Sequence, residues 1–231
     1  MFNFAIMNNL AQVDNYFRVL NDIEKKNCPE HLFYSGDFSL LERGRRVAVV
    51  GSREVSNLGE RRTRKIVDAL VSQGIIVVSG LAKGVDTIAH KRAMELGGET
   101  IAVLGTPLEV SYPAVNKKLQ SEIALSHLLL SQFPAGQVVH QSNFPLRNRT
   151  MALVSDATII VEATEKSGTR HQGWECLRLG RTLYILENVL QSVSWASAML
   201  EYGAIVLSSS DLSYAIENIP YLTSREELDV F

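Results

Sequence analysis

Seven short apolar runs constrain this chain more than any other feature: residues 47–50, 75–79, 100–104, 128–131, 157–161, 183–186 and 204–207. They are rich in Ile, Val and Leu and do not alternate with polar residues. Strands with one wet face alternate, whereas strands buried on both faces do not. Between the runs the spacing is helical. Ile66, Val67, Leu70 and Val71 make one apolar stripe, and Ile88, Ala89, Ala93 and Leu96 make another, with Arg92 set into it. Strand–helix alternation of this kind predicts an α/β fold with a doubly wound, mostly parallel sheet of about seven strands.

The stretch ahead of the first run reads differently. Leu10, Val13, Phe17, Leu20 and Ile23 fall at helical spacing, so a helix is expected over residues 1–28, ended by Pro29. Residues 32–37 read as a short strand closed by a Ser35-Gly36-Asp37 turn. The organisation expected is a short helical lead-in at 1–42 and one α/β domain at 43–231. No repeat or low-complexity tract interrupts it.

Composition excludes several classes. With 46% hydrophobic residues in 231 and a net charge of −2, the chain has enough apolar material to fold. Cys28 and Cys176 stand far apart with no metal-ligand spacing around them, which argues against a disulfide framework or a zinc module and fits the cytoplasm. No apolar run approaches the roughly 18 residues of a membrane helix, and residues 1–10 lack the pattern of a secretory signal. The small net charge conceals an asymmetry. Residues 42–65 hold eight Lys or Arg against three acids, and residues 209–231 hold five acids and one Arg. The basic stretch suits a polyanion; a solvated helix face is the plainer explanation.

In doubly wound sheets ligands bind beyond the carboxyl ends of the strands. After the first run come Gly51, Ser52 and Arg53. There Gly51 permits close backbone approach, and Ser56 or Asn57 can cap the next helix. After the second come Ser79, Gly80, Lys83 and Gly84, a second candidate phosphate cradle, with Asp86 as a helix cap and His90 as a packed histidine. After the fourth come Phe144, Pro145, Arg147, Asn148 and Arg149. Two arginines near the positive end of a helix are unfavourable unless an anion visits or they reach carboxylates such as Glu162. After the fifth, Glu162 ends a buried strand, as an anchor or a catalytic carboxylate. Ser167, Gly168 and Thr169 then offer N–H and hydroxyl groups ahead of another helix. The fingerprints of dinucleotide oxidoreductases, P-loop ATPases, zinc proteases and α/β-hydrolases are absent from the sequence. Several phosphate-accepting loops with one stacking aromatic, Phe144, suit a nucleic-acid strand or a nucleotide.

Six segments in this order resemble the DNA-processing protein A (DprA/Smf) family. They are Val47-Ala48-Val49-Val50-Gly51-Ser52-Arg53, Ser79 to Asp86 with Ala89-His90, Gly98 to Leu104, Tyr112-Pro113 with Asn116, Phe144-Pro145-Leu146-Arg147-Asn148-Arg149, and Ser167-Gly168 through Leu179-Gly180-Arg181. The resemblance implies an extended Rossmann-like core, sequence-independent binding of single-stranded DNA, a homodimer, and a part in natural transformation by loading a RecA-type recombinase. It implies no catalysis, no cofactor, no metal and no membrane. It assigns the DNA pocket to Gly51, Ser52, Arg53, Ser79, Gly80, Lys83, Gly84, Phe144, Arg147, Asn148, Arg149, Ser167, Gly168 and Thr169. The chain departs from the family pattern at Ser131-Gln132, at residues 167–173 and at Glu187-Asn188, and reads as a divergent member without the C-terminal winged-helix domain. Two rival readings remain. One is a nucleotide phosphoribohydrolase-like enzyme, which Ser167-Gly168-Thr169 followed by Glu175 partly echoes. The other is a structural partner protein using the acidic C-terminus.

Overall fold

The computed structural model describes residues 9–12 and 20–222. Among these, nine strands form one sheet: β1 (Asn9–Gln12), β2 (His31–Gly36), β3 (Arg46–Gly51), β4 (Ile76–Ser79), β5 (Thr100–Leu104), β6 (Leu128–Ser131), β7 (Ala157–Glu162), β8 (Thr182–Leu186) and β9 (Ile205–Leu207). Their spatial order is β1-β2-β6-β5-β4-β3-β7-β8-β9. The seven strands from β6 to β9 are parallel and coincide with the seven apolar runs. Val47, Val49, Val77, Ile101, Ile159 and Ile160 are fully buried, as their lack of alternation requires. Burying each such side chain contributes roughly 1.5–3 kcal/mol relative to leaving it exposed.

The helices are α1 (Asp22–Asn27), α2 (Asn57–Ser72), α3 (Val85–Glu95), α4 (Lys117–Ser126), α5 (Asn143–Leu153), α6 (Thr169–Arg178), α7 (Glu187–Ser192), α8 (Trp195–Glu201) and α9 (Leu212–Glu217). From β3 the chain winds outward through β4 and β5 to β6. It then crosses back through α5 and winds the other way through β7, β8 and β9. Right-handed crossovers therefore put α2 and α3 on one face and α5 and α6 on the other. The winding reverses between β3 and β7, and a crevice opens at their carboxyl ends. A bulge between Val50 and Gly51 shifts the β3–β7 register at that point.

The N-terminal region corrects the expected lead-in. Leu10 lies in strand β1, which pairs antiparallel with β2, and β2 pairs antiparallel with β6. The sheet thus continues ahead of residue 42. The helix is only α1. Asn21 and Glu24 close its start with a reciprocal capping box, and the chain is extended again at Cys28, before Pro29. Val13 and Phe17 lie outside the described residues. Backbone pairing at the sheet edge overrides the helical spacing of side chains here. Leu20 packs with Leu32, Leu153 and Leu179 at the amino edge of the sheet, where Arg181 forms a 2.6 Å ion pair with Glu24.

Candidate nucleic-acid interface

The crevice is built by four loops, and small residues set how closely they meet. Ser56 caps α2, its Oγ accepting from the Gly59 N–H at 3.0 Å, and also donates to the Glu162 carboxylate at 2.6 Å. Glu162 is therefore an anchor for the loop after β3. The Val85 N–H donates to the Ser52 carbonyl at 3.1 Å. That approach needs Gly84, which has φ +73°, and a Cβ there would strike the backbone of Ser52 and Arg53. Arg53 itself is exposed.

The loop after β4 is held from several sides. Ser79 is buried and its Oγ donates to the Val49 carbonyl at 2.7 Å. Asp86 does not cap α3, whose N-cap is Gly84. Its carboxylate instead accepts from the N–H groups of Gly80 and Ala82 at 3.2 and 3.3 Å, closing the loop on itself. Asn116 donates to the Leu81 and Ala82 carbonyls at 2.9 and 3.3 Å. Leu81, fully buried, is held at φ +56°, a conformation that surrounding contacts must impose on a non-glycine residue. Lys83 is exposed outside the crevice.

Helix α5 brings the third set. Pro145 lies in its first turn, as expected. Arg147 is buried, and its Nη1 donates to the carbonyls of Gly80 and Val103 at 2.5 and 2.9 Å. A side chain at Gly80 would occupy the place of that guanidinium. The Arg147 Nε donates to Asn148 Oδ1 at 3.0 Å, while its Nη2 makes no hydrogen bond among the described residues. Arg149 forms a 3.2 Å ion pair with Glu175 and does not line the crevice. Neither arginine reaches Glu162.

The result is an open cavity of about 460 Å³. It brings together Gly51, Ser52, Arg53, Phe144, Arg147, Asn148, Ser167, Gly168 and Thr169. Ser79, Gly80, Lys83, Gly84 and Arg149 are not in its lining, and the first two and Gly84 act instead by shaping the loops. Lys166, His171 and Gln172 complete a wall that the sequence reading left out.

The electrostatics are unbalanced. Burial lowers the affinity of the Arg147 guanidinium for its proton, Asp86 opposes the shift, and the nearby Arg53 adds to it. An arginine still stays charged, so Arg53, Arg147 and Lys166 line the cavity against the carboxyl groups of Glu54 and Asp86. Burial likewise raises the Asp86 carboxyl against the pull of Arg147. The Arg53 guanidinium lies 6.0 Å from the centre of the Phe144 ring, within cation–π range. Phe144 also meets Tyr112 at 5.2 Å between ring centres, and Tyr112 is 52% exposed. The site therefore offers a second aromatic that sequence reasoning did not assign; its place in a Tyr-Pro pair ahead of Asn116 was the available signal.

A family model described as DNA recombination-mediator protein A matches residues 9–216. The chain is 37% identical over 201 residues to the DNA processing protein DprA of Streptococcus pneumoniae, covering 84% of this chain and 71% of that protein. It is 36% identical over 219 residues to protein Smf of Synechocystis, covering 92% of this chain and 54% of that protein, so the match spans about half of the latter's length. Among solved structures, DNA processing protein A of Helicobacter pylori, studied for its single-stranded DNA binding mode, superposes with a TM-score of 0.77. That superposition has 27% identity and covers 93% of this chain and 99% of the other.

Proposed function

The chain belongs to the DNA recombination-mediator protein A family, and from that membership we propose that it binds single-stranded DNA without sequence preference in the carboxyl-edge cavity and delivers it to recombination. The observation that carries this reading is the convergence of Arg53 and Arg147 on one open cavity lined also by the half-buried Phe144 ring. Like charges held together at a cavity call for an anion, and the ring supplies a sequence-tolerant stacking surface.

Each group then has a task. Arg53 and the Nη2 edge of Arg147 hold phosphates, joined by Asn148 and by the N–H and hydroxyl groups of residues 167–169 at the start of α6. Phe144 stacks a base. Gly80 and Gly84 keep the loops close enough for these groups to meet, and Arg149 fastens α5 to α6 through Glu175. Lys83 adds charge from outside the cavity. No groove-reading element stands here, so a single strand is preferred to a duplex.

The reading extends to partners. Delivery implies a recombinase of the RecA type, in natural transformation and in the cytoplasm where that DNA is handled. A second copy of the chain is supported by strand β9, the outermost strand on its side of the sheet among the described residues, on which Ile205 and Val206 are 47% and 38% exposed. The protein is not an enzyme in this reading. Glu162 is committed to Ser56, and Glu175 to Arg149 and Arg178, so neither carboxylate is placed to activate water.

The test is a titration with a single-stranded oligonucleotide and a duplex of equal length at two salt concentrations. The single strand is expected to bind more tightly and with marked salt dependence. Equal affinity for duplex overturns the reading. Incubation with nucleoside monophosphates is expected to release no base; release abolished by Glu175→Gln would favour the hydrolase.

A further inference from the structure

A second cavity, of about 190 Å³, opens between α2 and the carboxyl ends of β8 and β9. Its floor is apolar, formed by the buried side chains of Ile66, Leu186, Leu207 and Leu212. Its mouth carries Arg62 and Lys65 from α2, with Ser208 and Ser209 opposite; Glu187 and Asn188 stand on the third side.

Neither cation has a carboxylate partner among the described residues, although both line a cavity. Along the same basic stretch Arg43 pairs with Asp37 and Glu99, and Arg64 with Glu60 and Glu95. Arg45 and Arg46 donate to backbone carbonyls. Lys65, in contrast, donates only to the neutral Ser209 hydroxyl at 2.7 Å, and Arg62 has no ion pair or hydrogen bond among the described residues. Against this pair the mouth sets one carboxylate, Glu187, which is exposed to solvent.

We infer that this cavity is a second nucleotide subsite, in which Arg62 and Lys65 hold a phosphodiester of single-stranded DNA while its base or sugar rests on the apolar floor. The inference rests on the proposed binding of a single strand at the first cavity and extends the path of that strand. Both cavities lie at the carboxyl edge of one sheet. Arg62 is five residues into α2, about 8 Å along the axis from its first residue, and α2 begins at the loop that carries Arg53. The strand ends from β3 to β9 are three spacings apart, about 14 Å. The Asn188 Nδ2 donates to the Val161 carbonyl at 3.2 Å, fixing the start of α7 to the end of β7. The span between the cavities corresponds to a few nucleotides, within the range of strand lengths that single-strand binding folds engage.

The experiment uses fluorescent oligothymidylates of two lengths, about 4 and about 16 nucleotides, the extremes of known site sizes. The parent chain is compared with the double variant Arg62→Gln/Lys65→Gln, and with Arg53→Ala as a separate arm. Folding is checked by thermal melting. The double variant is expected to bind the long oligonucleotide more weakly and to lower its salt slope by about 0.7, the share of the one phosphate the pair holds. Its affinity for the short one should stay at the parent value. Unchanged binding of the long oligonucleotide overturns the subsite, as does equal weakening of both lengths. In a further arm, free thymidine monophosphate competes for the second cavity; full competition with no advantage of the long strand would make it a mononucleotide site and overturn the shared path. If the parent fails to bind either length, or Arg53→Ala binds both as the parent does, the fault lies with the first cavity instead.

Discussion

The two edges of the sheet use the same residue types to opposite ends. At the amino edge, Arg46 is buried and donates to the carbonyls of Val154 and Leu41 at 2.8 and 2.9 Å, and its backbone N–H donates to Asp156. Arg181 meets Glu24 at 2.6 Å with both side chains buried. At the carboxyl edge Arg147 is as buried as Arg46 and is held in the same way, Nε on one oxygen and Nη1 on two carbonyls, but it borders an open cavity that the exposed Arg53 shares. Neither burial nor hydrogen bonding therefore separates the two arginines. What separates them is that one guanidinium borders an open cavity with a second cation on its rim, while the other is enclosed at the start of β3.

The sharpest way to break this contrast is at the amino edge. Arg181→Met removes the guanidinium facing a buried Glu24 and is expected to cost about 3–5 kcal/mol in urea denaturation. The folded fraction should bind DNA with an unaltered salt slope; a changed slope would mean the edges are not separate. Between the edges lies His90, whose imidazole accepts or donates one 2.7 Å bond to Thr100 and is otherwise buried. Burial pushes it down to about 3, against 6.5 for the free side chain. The unfolded chain therefore takes up a proton that the fold refuses. This contribution to stability is present above pH 6.5 and is lost as pH falls toward about 3. About 2 kcal/mol should be gone by about pH 5. Denaturation midpoints of the parent and His90→Asn at the two pH values test this: the loss should shrink in the variant, leaving the smaller part due to His127, which burial also lowers.

At the carboxyl edge the expected effects are on binding. Phe144→Ala should weaken single-strand binding by roughly 1–3 kcal/mol with little change in salt slope. Arg53→Ala should do the reverse in kind. Its salt slope should fall by about 0.7, and its stability should stay within about 0.5 kcal/mol of the parent. If Arg53→Ala leaves the slope intact, the like-charge pair is an accident of packing.

The parallel strands were legible because runs of Ile, Val and Leu without alternation point to burial on both faces. Strand β2 was legible as a strand but not as part of the sheet, since its side chains are mostly half-buried and nothing in it names a partner 98 residues away, Phe33 against Ser131. The lead-in misled because helical spacing at Leu10 is also compatible with an edge strand. Arg53, Phe144 and Arg147 were legible as one site because strand ends converge at a winding reversal. Arg149 was not separable from Arg147 by sequence, two positions apart on one helix, because one points at Glu175 on α6 and the other at backbone carbonyls, which have no sequence signature. Half of the basic stretch was absorbed in the same way by carbonyls and acids.

The cavity is assembled from residues 50–54, 82–86, 144–151 and 164–172, and it stands where Gly51 pairs with Glu162. Its walls are therefore joined by contacts more than a hundred residues apart along the chain. Such contacts carry a high loop-closure cost and form slowly. A chain still emerging from synthesis, with β3 to β6 complete and β7 not yet inserted, lacks the wall that faces Arg53. Competence to hold DNA thus arrives only with the insertion of β7, and strand binding would report complete folding more stringently than helix content does.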